Sequence, residues 1–274
     1  MLPSLIRSSG YYAIALGLLG GLLFLHSNHK VSAKTSSPSD SPPRPVLVEL
    51  FTSEGCSSCP PADALLKRLS ETQPVAGAEV IALEEHVDYW NHLGWTDPFS
   101  THAFSQRQDE YANSFGTDSV YTPQMVVDGQ FELVGSRGDE ARKAIQKAAA
   151  EPKLQVTLSV NPKSAPGKPI LEIQLSNPNK IIVPNPAELW LAVTEANLQS
   201  DVKAGENSGE VLKHAAVVRS LRKVETLRDA SSYKSGLDLA IDPKWKAQDL
   251  SAVVFIADKN SHKIIGSAIT PLRW

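Results

Sequence analysis

The chain has 274 residues, 42% hydrophobic and 21% charged, with a net charge of −3. This is ordinary globular composition, with room for two domains. The small acidic balance and the lack of a dense Lys/Arg run argue against a nucleic-acid surface. With only two cysteines, the chain has no disulfide framework, and the pair cannot supply the roughly four ligands of a structural zinc site.

Residues 1–33 read as an export segment. Arg7 precedes an apolar run over residues 11–25. As a helix that run spans roughly 22 Å, short of the roughly 30 Å hydrocarbon core. It therefore fits a signal-peptide core, with Val31, Ser32 and Ala33 offering a small-residue cleavage site. The competing reading is an uncleaved N-terminal anchor, and a membrane partner is expected only in that case. Residues 34–45 are rich in Ser and Pro and read as a disordered linker.

Residues 46–51 form an almost unbroken apolar run of strand length, and the loop ending in Cys56-Ser57-Ser58-Cys59 follows at once. Pro60 and Pro61 open a helix whose apolar positions are Ala62, Leu65, Leu66 and Leu69. A second strand covers residues 79–83 and gives way to a polar and aromatic stretch over residues 84–95. Residues 99–115 read as a partly helical insertion, with Arg107 and Asp109 on its solvated face. Thr122-Pro123 precedes a strand at residues 124–127. Asp128-Gly129 predicts a tight hairpin into residues 131–134, and Ser136 is placed to cap a helix over residues 137–150.

The order of strand, CxxC, helix, strand, insertion, proline, hairpin and helix resembles the thioredoxin fold. Residues 49–63, 86–90, 94–99 and 121–129 look like a bacterial family of secreted proteins. That family carries a thioredoxin-like domain and has no assigned function. The resemblance spans nearly all of Pro45 to Trp274. It implies an α/β thioredoxin-like domain over residues 46–150. In that domain Cys56 is the attacking cysteine, Cys59 the resolving one and Pro123 a cis-proline packed against the disulfide. Thr122 would present its backbone to substrate.

The spacing suits the chemistry. A thiolate is the nucleophile of disulfide exchange, and a helix N-terminus favours it. Two intervening residues let the second sulfur resolve a mixed disulfide. The plain alternative is a staple, yet a loop this short contributes only about 2 kcal/mol, against about 4.7 for a hundred-residue loop. Pro60 and Pro61 place the helix start just after Cys59, which leaves Cys56 ahead of the helix end. No buried acid is evident in the second strand to relay a proton.

In the stretch over residues 84–95, His86 and Asp88 read either as proton-handling or metal-binding groups beside the sulfurs or as hydrogen-bonding partners of loop backbone. Copper held by Cys56, Cys59 and His86 is a rival reading. Residues 154–274 carry seven short strand candidates, with residues 154–160, 170–175 and 189–193 alternating, separated by Pro, Asn and Gly, which predicts an all-β sandwich-like domain. Gly205-Glu206-Asn207-Ser208-Gly209 reads as an ordinary turn, or as a tight loop approaching the first domain. His214 and His262 read as isolated structural residues. No phosphate loop, nucleotide fingerprint or Ser/His/Asp arrangement is present, so no cofactor and no metal ligand is assigned.

The expectation is an exported, periplasmic or secreted protein that exchanges disulfides with protein or small-molecule thiols. Cys56, Cys59 and Pro123 are its site residues. The alternatives are copper binding and a non-catalytic interaction module with a structural disulfide.

Overall fold

The computed structural model describes residues 42–274. The expected export segment, residues 1–33, lies outside them, as does the expected linker up to residue 41.

β1 (Arg44–Thr52) is buried at each of its last seven positions. A strand buried on both faces belongs at the centre of a sheet. It pairs in parallel with β2 (Ala78–His86) and antiparallel with β3 (Gln124–Val127). β3 returns as β4 (Phe131–Val134). Asp128 and Gly129 both have positive φ, 50° and 62°, as a two-residue hairpin turn of this kind requires.

Three α-helices occur among the described residues: α1 (Pro60–Thr72), α2 (His102–Phe115) and α3 (Gly138–Ala150). Leu65, Leu66 and Leu69 of α1 join Ile145 and Ala148 of α3 against Val46, Val48 and Leu50 of β1. The alternate residue Leu47 points to the other face, where it meets Phe104 of α2. α2 is capped by the Thr101 side chain, while α3 begins one residue later than expected, with Arg137 at its N-cap and no side-chain cap bond.

The remaining strands are β5 (Gln155–Val160), β6 (Ile170–Ser176), β7 (Ala187–Glu195), β8 (Leu198–Asp201), β9 (Val211–His214), β10 (Val217–Leu227), β11 (Ser232–Asp238), β12 (Leu250–Asp258) and β13 (Ile264–Pro271). β11, β6 and β5 form a small sheet, and β8 and β9 form a hairpin.

These strands overturn the expected fold class, an α/β thioredoxin-like domain followed by a separate all-β sandwich-like domain. The chain is mostly β, and a single mixed eight-stranded sheet in the order β13-β12-β7-β10-β2-β1-β3-β4 runs through both stretches. The junction lies at β2, where the Glu84 N–H donates to the Ala216 carbonyl (2.9 Å) and β10 runs parallel through Val217 opposite Glu84. β2 is too buried to be an edge: eight of its nine positions are buried, and its outer backbone groups need partners. The small sheet then covers one face of the C-terminal half. Leu171, Ile173 and Leu175 pack there against Leu189, Leu191, Val254 and Ile256.

Candidate functional site

The CxxC lies where β1 leaves the sheet. The Cys56 N–H donates to the Ser53 carbonyl and the Cys59 N–H to the Cys56 carbonyl, both at 3.1 Å. The two sulfurs form a disulfide, with the Cα atoms 5.4 Å apart. Cys59 is the N-cap of α1, and its carbonyl accepts from Ala62 and Asp63. Pro60 and Pro61 occupy the first two helical positions and offer no N–H, so the helix end favours a thiolate through its dipole and not through free donors there. The Ser58 hydroxyl lies 3.3 Å from Cys56 Sγ.

Pro123 follows a cis bond from Thr122. Its carbonyl accepts from the Gly135 N–H, 2.8 Å. A side chain at Gly135 would meet Leu50, Ala62 and Pro123 at 2.7, 3.0 and 3.2 Å. The bare Gly135 backbone is therefore what brings Pro123 close to the first turn of α1. Trp90 ties this segment to the cysteine loop. Its indole N–H donates to Thr122 Oγ1 at 2.8 Å, and its Cβ lies 3.0 Å from where a Cβ on Gly55 would stand.

Both cysteines are fully buried, although Ser57 and Ser58 between them are exposed. Residues 205–209, the connection between β8 and β9, are pinned against this loop. The Asn207 amide donates to the Glu54 and Cys56 carbonyls at 2.8 and 3.0 Å. The Glu206 carboxylate accepts from the Ser57 N–H and hydroxyl at 3.0 and 2.7 Å. Gly205 has φ +76°, and a Cβ there would lie 3.2 Å from Trp95 Cβ. Of the two readings of this segment, the approaching loop is the one observed.

A buried ionic cluster adjoins the cysteine loop through Glu54. Asp97 Oδ2 accepts from the Glu54 N–H (2.8 Å) and pairs with His86 Nδ1 (2.7 Å). His214 Nδ1 lies 2.6 Å from Glu84 Oε1, and its Nε2 lies 3.0 Å from Glu54 Oε1. Glu84 Oε2 accepts from the Ala215 N–H, and Glu54 Oε2 from the Trp95 indole, at 2.9 and 2.8 Å. The Phe99 ring sits 5.4 Å from each imidazole. Glu54, Glu84, His86, Asp97 and His214 are all buried.

Burial alone would discharge these groups, but their mutual pairing overrides it. Burial lowers the His214 pKa, yet hydrogen bonds to Glu54 and Glu84 raise it to about 9. Burial lowers the His86 pKa, but the charges of Asp97 and Glu84 and the bonds to them together carry it well above its usual value. Burial raises Glu84, but its two histidine partners hold it well below the carboxylate range. Asp63 on α1 differs. Burial first and the Glu84 charge second raise it to about 7, although Thr52 donates a 2.6 Å hydrogen bond to it.

Several of these residues were misread in the sequence. Glu84 and Glu85 are buried acids at the end of the second strand, where none was expected. Arg107 is not on a solvated face. It is buried, with Nε 2.6 Å from Glu49 Oε1 and 3.7 Å from Glu85 Oε1, and its guanidinium lies over the rings of Tyr111, Trp190 and Phe255. His214 is not isolated but is stacked edge-on against His86, with ring centroids 4.8 Å apart. Asp88 stays out of the cluster and accepts from Ser105. No helix among the described residues is long and apolar enough to cross a membrane.

Two solved structures resemble the chain over most of its length. One is a crystal structure of a protein from Agrobacterium tumefaciens, 26% identical, covering 84% of this chain and 95% of that one, with a TM-score of 0.63. The other is HBP35 of Porphyromonas gingivalis, 16% identical, covering 85% and 77% of the two chains, with a TM-score of 0.57. The latter likeness speaks for the fold alone. No curated protein matches the chain. A family model described as a protein of unknown function, DUF1223, matches residues 47–257, and the chain therefore belongs to the DUF1223 family.

Proposed function

We propose that this protein carries out thiol–disulfide exchange outside the cytoplasm, with Cys56 and Cys59 as the working pair. The observation that supports this most is their position. The only two cysteines of the chain are bonded to each other at the N-terminal end of a helix, in a loop flanked by Trp90 and close to Pro123. Export is part of the same proposal. The apolar N-terminal run and a disulfide that needs an oxidising compartment support it.

In the reduced pair, the Cys56 thiolate attacks a substrate disulfide, expelling one substrate thiolate and forming a mixed disulfide. The Cys59 thiolate then attacks the Cys56 sulfur, which releases the second substrate thiol and closes the Cys56–Cys59 bond. Two electrons pass from the pair to the substrate, and the reverse sequence oxidises a dithiol. Asp63, one helical turn beyond Cys59 and with a pKa near neutrality, is suited to hold the proton that Cys59 gives up. Pro123 and Thr122 would shape the substrate groove.

The burial of both cysteines favours a second reading, a non-catalytic module in which the disulfide is a staple. Native protein and Cys56→Ser, assayed for exchange with small-molecule and protein thiols, separate the two. Exchange by the native protein that the variant lacks supports the redox role. Equal, background-level behaviour supports the staple.

A further inference from the structure

We propose that Glu84, His86 and His214 bind a divalent transition-metal ion at a site separate from the Cys56–Cys59 pair. One carboxylate oxygen and two imidazole nitrogens, all buried, stand within 4.8 Å of one another.

The orientation of each ligand is already set. His86 has Nδ1 held by Asp97 at 2.7 Å, which leaves Nε2 facing Glu84 Oε1 at 3.5 Å without a hydrogen-bond partner. A fully buried ring nitrogen with no partner is costly, and a metal ion is a partner it can take. A carboxylate behind an imidazole is the usual support of a metal-bound histidine. His214 repeats the arrangement, with Nε2 held by Glu54 at 3.0 Å and Nδ1 turned to Glu84 Oε1 at 2.6 Å. Glu84 itself is anchored through Oε2 by the Ala215 N–H, which leaves Oε1 facing both rings.

The supporting groups are fixed in turn. Asp97 accepts from the Glu54 N–H, and Glu54 accepts from Trp95. Three buried carboxylates, Glu54, Glu84 and Asp97, surround the two imidazoles and favour a cation. Two nitrogens and one oxygen suit zinc or iron(II) better than calcium or magnesium, which take oxygen ligands. With metal–ligand bonds of about 2.0–2.2 Å, donor atoms on a tetrahedral ion stand roughly 3.4 Å apart. The His86–Glu84 separation of 3.5 Å already fits, and the His214–Glu84 separation of 2.6 Å must open by under about 1 Å. Three protein donors leave one position for water. The sulfurs are not needed, so the ion binds with the disulfide intact, unlike a copper site built on Cys56, Cys59 and His86.

The test uses the whole oxidised chain without a polyhistidine tag, stripped with chelator and then given zinc or cobalt(II). The expected result is about one tightly held zinc per chain. Its X-ray absorption fine structure shows imidazole scattering and no sulfur shell, and the cobalt form shows a ligand-field spectrum. Zinc content is unchanged in the double variant Cys56→Ser/Cys59→Ser and is lost in His86→Gln and His214→Gln. The absorption measurement on native protein keeps the test valid if either histidine variant fails to fold. No zinc above background, a sulfur shell, or undiminished zinc in both folded histidine variants would each overturn the proposal.

Discussion

Asn207→Ala probes how a buried disulfide meets a substrate. The Asn207 amide makes two buried hydrogen bonds, to the Glu54 and Cys56 carbonyls, and these pin the 205–209 connection over the cysteines. Each such bond contributes about 0.5–1.5 kcal/mol, so the variant weakens the closed arrangement by about 1–3 kcal/mol. That difference raises the open population about 5- to 150-fold. When opening is fast and precedes attack, the observed rate of reduction follows the open population. The assay is reduction of the native protein by excess dithiothreitol at 25 °C, followed by alkylation and mass analysis. The variant should be reduced about 5 to 150 times faster. Asn207→Asp, which keeps the size but sets a carboxylate against two carbonyls, should behave alike. A rate within about twofold of wild type in a folded Asn207→Ala would refute the reasoning, because the covering loop would then not limit access.

Asp63→Asn should flatten part of the pH dependence of stability. An acid raised from 3.8 to about 7 by burial keeps its proton in the folded state after the unfolded chain has lost it. Its cost is therefore absent below about pH 4 and grows as pH rises toward about 7, reaching a few kcal/mol. Urea unfolding at the two ends of that window should show wild type losing more stability than the variant, and equal losses would contradict the assignment. Arg107→Met leaves the buried Glu49 carboxylate without its partner and should cost about 3–5 kcal/mol in the same assay. A loss under about 1 kcal/mol would mean that the Arg107–Glu49 pair contributes no more than an exposed ion pair. Gly129→Ala would place a Cβ 2.1 Å from the His262 carbonyl at φ +62°. It should destabilise by more than about 2 kcal/mol, visible as a lower Tm, and an unchanged Tm would show that the hairpin can shift aside.

What could be read from the sequence was local. The apolar run of β1, the prolines opening α1 and the Asp128-Gly129 turn each carry their own signal within a few residues, and they placed Cys56 and Cys59 at a strand-to-helix junction. What was missed depended on distance. Glu84, Glu85 and His86 fell outside the expected strand because three polar residues in a row break the apolar pattern, yet β2 continues through them. Their partners come from elsewhere: Arg107 from α2, and His214 from a strand 130 residues beyond Glu84. Charges that meet across such separations leave no period in the sequence. The merging of the expected domains has the same origin, since the pairing of Val217 with Glu84 is invisible to alternation in either strand. The conspicuous cue that did exist was the density of titratable residues after the second strand.

Whether Cys56 and Cys59 are a working redox pair is read from their reduction potential. Purified protein would be equilibrated with graded glutathione buffers, and the fractions of dithiol and disulfide counted after alkylation. A working pair equilibrates readily without unfolding and has a potential well above about −300 mV, the level below which structural disulfides in secreted proteins usually lie. A value below that level, or a disulfide that yields only when the chain unfolds, would contradict the redox role and make Cys56–Cys59 a structural link.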